Sequence, residues 1–182
     1  IACVAPQDME GLINQVTPEA DSPMANNYSD RTVYPFIGLF YQVEETSIVI
    51  ERASSEHLKE IEELERDCFS REAFSRRQIR YLIKSPSVTA LVATLKGSVA
   101  GYIICVGRRD SSSGRIYTFC VRPEYRRKKI ASRLLMELEK ECLLKGINRL
   151  TLEVGEDNIA AYGFYNKNGF AELYKIPGYY SD

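Results

Sequence analysis

A chain of 182 residues, 45% hydrophobic and 27% charged, is long enough for one domain with its own core and has an ordinary globular composition. Lys plus Arg (24) balances Asp plus Glu (25) to a formal net charge of -1, which argues against a nucleic-acid partner. No apolar run approaches the roughly 18 residues that cross a bilayer, so a soluble, cytoplasmic protein with no membrane contact is expected.

The chain opens on Ile1 rather than Met, which implies that something ahead of it is missing or removed. Residues 1–30 lack sustained periodicity and carry Pro6, Pro18 and Pro23 among Asn, Asp and Ser, as an irregular extension does. No basic head precedes an apolar stretch, as a signal peptide requires. The run 33–43 (VYPFIGLFYQV) is apolar enough to pack, although Pro35 and Gly38 weaken it as a strand. Residues 1–46 therefore read as an extension of unknown role, and 47–182 as the domain.

Regular patterning starts with a short strand at 48–52. Ser54 and Ser55 offer N-caps to a helix with Leu58, Ile61, Leu64 and Cys68 at helical spacing. A second helical pattern runs through Phe74, Ile79, Leu82 and Ile83 and stops at Ser85-Pro86. Strand-like runs follow at 88–95, 98–107 and 115–122, joined by Lys96-Gly97 and by the polar turn 110–114 (DSSSG). Connections this short make the three antiparallel. A helix over about 129–145 is marked by Ile130, Leu134, Leu135, Leu138 and Cys142 and closed by Gly146. A strand at 149–154, a helix at 158–168 ended by Gly169, and an apolar run at 170–176 complete the chain. Gly163 inside the last helix costs roughly 1 kcal/mol against alanine and points to close packing there.

A meander followed by strand, helix, strand, helix, strand gives an α/β fold with one mixed sheet and helices on its faces. The crossover helix makes strands 115–122 and 149–154 parallel, and the sheet is expected to open between them, where ligands gather. The five cysteines (Cys3, Cys68, Cys105, Cys120, Cys142) fall in no metal-ligand spacing and no even disulfide framework. Cys105, Cys120 and Cys142 read as small core residues. The single histidine, His57, lies near a helix start as a surface residue, so histidine-based nucleophilic or metal chemistry is not expected, and no metal site is assigned.

The densest chemical signal is 121–131 (VRPEYRRKKIA). Arg122, Arg126, Arg127, Lys128 and Lys129 put five cations into eight residues directly ahead of a helix, against the preference of a helix N-terminus for anions. A solvated basic turn is the plain reading. A bound polyanion also resolves the conflict, because free backbone N–H groups cradle phosphate while the cations neutralise it. In the strand at 150–154, Leu150, Leu152 and Val154 share one face and Thr151 and Glu153 the other. Tyr165 follows on the next helix, on a face similar to that of Asn158 and Ala161. A carboxylate and a phenol at neighbouring element ends can take one proton and return another.

Residues 121–131 resemble the acetyl-CoA motif of the GNAT acetyltransferase superfamily, R/Q-x-x-G-x-G/A. Residues 158–170 (NIAAYGFYNKNGF) are similar to its second signature, N-x-A-A-x-x-x-Y-x-x-x-G-F. The resemblance covers 48–182 and is nearest to the RimI-type N-terminal protein acetyltransferases, whose ending KIPGYYSD also resembles. It implies a GNAT fold with a V-shaped opening, acetyl-CoA as co-substrate and a protein or peptide amine as partner, in a monomer or weak homodimer. It implies that Phe119, Cys120 and Val121 form the splayed strand that pairs with the pantetheine arm. Backbone N–H groups of Arg126, Arg127, Lys128, Lys129, Ile130, Ala131 and Ser132 would hold the pyrophosphate, and Asn158 would bond the cofactor arm. Glu153 would act as general base and Tyr165 as general acid.

The chain departs from the family twice. Lys129 stands where glycine is usual, at a penalty of about 1–2 kcal/mol if the turn requires φ > 0. The family's sheet has one more strand after GYYSD, so that strand is expected to be missing, with 33–43 as a candidate to cover the edge. These departures leave room for a non-catalytic acyl-CoA-binding module. The acceptor is equally open at this stage, since a lysine or small-molecule amine would meet the same chemistry.

Overall fold

The computed structural model of the chain describes residues 2–4, 48–69, 73–108 and 111–175. The elements are β1 (Ala2–Val4), β2 (Val49–Arg52), α1 (Leu58–Phe69), α2 (Arg76–Lys84), β3 (Val88–Leu95), β4 (Ser98–Gly107), β5 (Ser113–Val121), α3 (Ile130–Leu144), β6 (Arg149–Glu153), α4 (Ile159–Lys167) and β7 (Ala171–Tyr174). Among the described residues the strands form one sheet in the order β2-β3-β4-β5-β6-β1-β7.

Strands covered on both faces read as near-continuous apolar runs, and β3 and β4 are buried along almost their whole length. One core joins β3, β4, β5 and β6 to α3 through Ile130, Leu134, Leu135, Leu138 and Cys142, and includes Tyr165 and Phe170 from the α4 region. The other packs Leu58, Ile61 and Leu64 of α1 and Ile79 of α2 on the opposite face, against Val92, Tyr102 and Ile104. α2 starts where Ser75 and Gln78 satisfy each other's backbone N–H groups in a capping box.

β2 to β5 pair antiparallel in sequence, and β5 then pairs parallel with β6 after the α3 crossover. Two features of β5 position the site. Its ladder with β6 contains three pairs and ends at Arg115↔Thr151, beyond which the strands part. Its register with β4 shifts between Ile104↔Thr118 and Cys105↔Ile116, leaving Tyr117 as the extra residue of a bulge. The bulge reverses the alternation: Ile116 belongs to the α3 core, whereas Cys120 belongs to the α1–α2 core.

Several expectations need correction. Ala2–Val4, inside the stretch read as irregular, forms a strand antiparallel to both β6 and β7. Cys68 and Cys120 form a disulfide, because α1 docks its last turn on β5 and brings their Cα atoms to 6.7 Å. Cys105 and Cys142 are buried, as core residues. Ser113 and Gly114, assigned to a turn, begin β5 instead. β7, read from an apolar run, has all four residues exposed because it lies at the sheet's outer edge. A side chain at Gly163 would meet nothing within 4 Å, so this glycine marks no close packing. The run 33–43 and the segment 176–182 lie outside the described residues.

Candidate functional site

Where β5 and β6 part, no ladder fills the gap between them, and a cavity of about 490 Å³ occupies the V. Phe119 enters it from β5, Glu153 from β6, and Asn158, Ala161 and Tyr165 from α4 and its cap. The last three stand at i, i+3 and i+7, the spacing that puts residues on one helix face. The cavity thus brings together Glu153, Tyr165, Phe119 and Asn158 of the sequence-predicted residues.

Tyr165 is 8% exposed and packs in an aromatic cluster, with ring centroids 5.5 Å from Phe164, 5.5 Å from Phe170 and 6.4 Å from Phe119. That packing holds the phenol's ring while its edge lines the cavity. Asn158 caps α4, its Oδ1 accepting from Ala161 N at 3.1 Å, so a bond to a cofactor arm would be given by Nδ2. Cys120 and Val121 do not line the cavity, and the Cys120 side chain is committed to its disulfide.

The basic loop lies past the end of β5, outside this cavity. α3 begins on Lys129, which adopts φ 60 and ψ 11 and supplies no side-chain cap. The first-turn N–H groups, those of Ile130, Ala131 and Ser132 included, therefore have no side-chain acceptor from the cap position. Arg126, Arg127, Lys128 and Lys129 are exposed, while the Ile130 side chain is buried in the core, so Ile130 presents only backbone to the loop. Arg126 Nε also donates to the Val121 carbonyl at 3.4 Å, and Lys128 Nζ lies 5.1 Å from the Tyr125 ring centre. Uncapped N–H groups ringed by cations suit a pyrophosphate.

Two residues that the sequence did not single out complete the wall. Arg115 forms an ion pair with Glu153 across the base of the V, and its guanidinium lies 5.1 Å from the centre of the Tyr117 ring. Glu65 of α1 is 1% exposed; its Oε1 accepts from Phe74 N at 3.1 Å and its Oε2 from Thr118 Oγ1 at 2.8 Å. Since Thr118 donates to Glu65, Tyr102 donates in turn to Thr118, at 2.8 Å. Burial pushes the Glu65 carboxyl above the usual range, against those two hydrogen bonds. This chain pins the start of α2 to β5, fixing the wall that Phe69 and Phe74 form on the far side of the cavity. A signal for Glu65 exists in the sequence, because it lies in phase with Leu58, Ile61 and Cys68 on the apolar face of its helix.

Among the described residues no group of His, Cys, Asp and Glu could hold a metal ion, and no helix is long and apolar enough to cross a membrane. Comparison with known proteins agrees with the sheet and the motifs. Residues 58–170 match the acetyltransferase (GNAT) family. An uncharacterized N-acetyltransferase of Methanocaldococcus jannaschii is 31% identical over 136 residues, covering 74% of this chain and 85% of the relative. The ribosomal-protein-S18-alanine N-acetyltransferase of Escherichia coli shares the fold at 22% identity, with a TM-score of 0.67 over 74% of this chain and 84% of that one. The PaiA N-acetyltransferase of Thermoplasma acidophilum, solved in complex with coenzyme A, is similar at 26% identity, with a TM-score of 0.65 over 72% of this chain and 94% of that one.

Proposed function

This chain belongs to the GNAT family of acetyltransferases and takes acetyl-CoA as its co-substrate; from that premise we propose that it acetylates a protein N-terminal α-amine by direct transfer. The observation that carries the reading is that Glu153 and Tyr165 line one cavity at the parting of β5 and β6. The open edges of the parted strands offer backbone groups to the pantetheine arm, and the uncapped start of α3 offers N–H groups to the pyrophosphate.

An ammonium has no lone pair, so the acceptor must lose a proton before it attacks. Glu153 takes that proton, directly or through water. The amine nitrogen then bonds to the acetyl carbonyl carbon, and the C–S bond breaks. Tyr165 gives its phenolic proton to the departing CoA sulfur and regains one from solvent. The aromatic packing of Tyr165 keeps the donor in place, and the Glu65–Thr118 bond keeps the opposite wall from drifting. An N-terminal α-amine is favoured over a lysine or small-molecule amine by the resemblance to the RimI-type enzymes, which the ending KIPGYYSD shares.

The test is CoA release from acetyl-CoA in the presence of N-terminal peptides, followed by mass spectrometry of the peptide. Glu153→Gln and Tyr165→Phe should each lower kcat/KM by about a hundredfold or more. A fall of less than threefold in both, with acetyl-CoA binding retained, would remove these residues from the chemistry.

A further inference from the structure

The cavity in the V does not exhaust the space on this face of the sheet. A second hollow, of about 650 Å³, continues along the β5–β6 ladder towards the start of both strands. It shares Arg115, Tyr117, Leu152 and Glu153 with the first, so the Arg115–Glu153 pair stands as the partition between them. Alternation along β6 puts Arg149, Thr151 and Glu153 on one face, and Arg115 meets them from β5. Arg108, just past the end of β4, also lines the hollow. Three arginines therefore line it. Among its described lining residues the one carboxylate is Glu153, which Arg115 already engages. A concave surface lined by one sign of charge focuses its field on anions.

We propose that this hollow is an anion subsite for the acceptor, so that the preferred substrate is an α-amine whose first or second residue is Asp or Glu. The inference rests on the reading of Glu153 as the base. While Arg115 holds Glu153 Oε2, that oxygen faces a guanidinium and not the incoming ammonium. An acceptor carboxylate gives Arg115 a replacement partner, in the two-pronged geometry that guanidinium favours, and frees Glu153 to receive the ammonium. Arg115 then faces the acceptor carboxylate and Glu153 faces the ammonium, with Arg108 and Arg149 left to favour the added negative charge. A neutral acceptor offers Arg115 nothing in exchange. A basic second residue adds a fourth cation to the hollow.

The experiment compares peptides that differ only at residues 1 and 2, Asp or Glu against the isosteric Asn or Gln. It measures both kcat/KM with acetyl-CoA and calorimetric affinity in the presence of CoA. Acidic peptides should exceed their amides by about tenfold or more, as charge-assisted bonds to guanidinium do. The ratio should fall with added salt, drop part-way in the Arg108→Ala/Arg149→Ala double variant, and approach one in Arg115→Ala. Turnover of both series with equal kcat/KM and equal affinity would overturn the subsite and leave the acyltransferase reading standing. Preference for free aspartate or glutamate over every peptide would uphold the carboxylate subsite and overturn the protein acceptor. If no amine is turned over, binding decides, and indifference between acid and amide peptides overturns the proposal.

Discussion

Lys129 is where fold and ligand make opposite demands on one residue. At φ 60 it occupies the left-handed region, which disfavours a residue with a Cβ by about 1–2 kcal/mol. Arg127, at φ 61, is strained in the same way two positions earlier. Glycine would relieve the strain, yet the side chain that causes it is an ammonium beside the uncapped start of α3. Lys129→Gly should therefore move stability and affinity in opposite directions. Unfolding by denaturant should become harder by about 0.5–1 kcal/mol, after allowing for the extra freedom of glycine in the unfolded chain. Calorimetric titration with acetyl-CoA should show weaker binding at low ionic strength, with the gap closing as salt is raised. Equal affinity of the two proteins at low salt would make Lys129 a strained turn residue and nothing more.

Among the elements, legibility follows how local the information is. The apolar period of α3 and the stop of α2 at Ser85-Pro86 are written within a few residues and could be read from them. Asn158, Ala161 and Tyr165 were equally legible, since a single helix period brings them to one face. Arg115 was not, because its direction depends on the bulge at Tyr117 and its partner on which strand comes to lie beside β5. Glu65 carried a local mark, but its role depends on how α1 docks. The Cys68–Cys120 disulfide is the extreme case: the two residues are 52 apart in sequence, and spacing says nothing about which cysteines meet. Closing a loop of that length stabilises by up to about 4 kcal/mol on the chain-entropy account. Reduction should lower the denaturation midpoint accordingly, and Cys120→Ser should reproduce the loss with no further effect of reductant. An unchanged midpoint would mean that the docking of α1 on β5 holds without the covalent link.

The molecule as a whole distributes its stability unevenly, and the reason lies in three residues at the far end of the chain. In the sheet order β7 has β1 as its strand neighbour, and β1 is paired on both sides. The β7 residues are all exposed, so ladder hydrogen bonds through β1, not side-chain burial, hold that strand in place. Both cores lie elsewhere, under the sheet from β2 to β6 and its helices. Deleting residues 1–4 should then leave β3 and β4 amides protected from hydrogen exchange, while amides at 171–174 exchange near the rate of an unstructured chain. The newly bare edge of β6 would invite pairing with a second copy, visible as concentration-dependent sedimentation. Because Ala2 stands opposite Glu153 in the ladder, the loss reaches the site, and kcat should fall further than affinity for acetyl-CoA. Persistent protection of 171–174 after the deletion would show that β7 is held by contacts other than β1, and the unevenness would need a different cause.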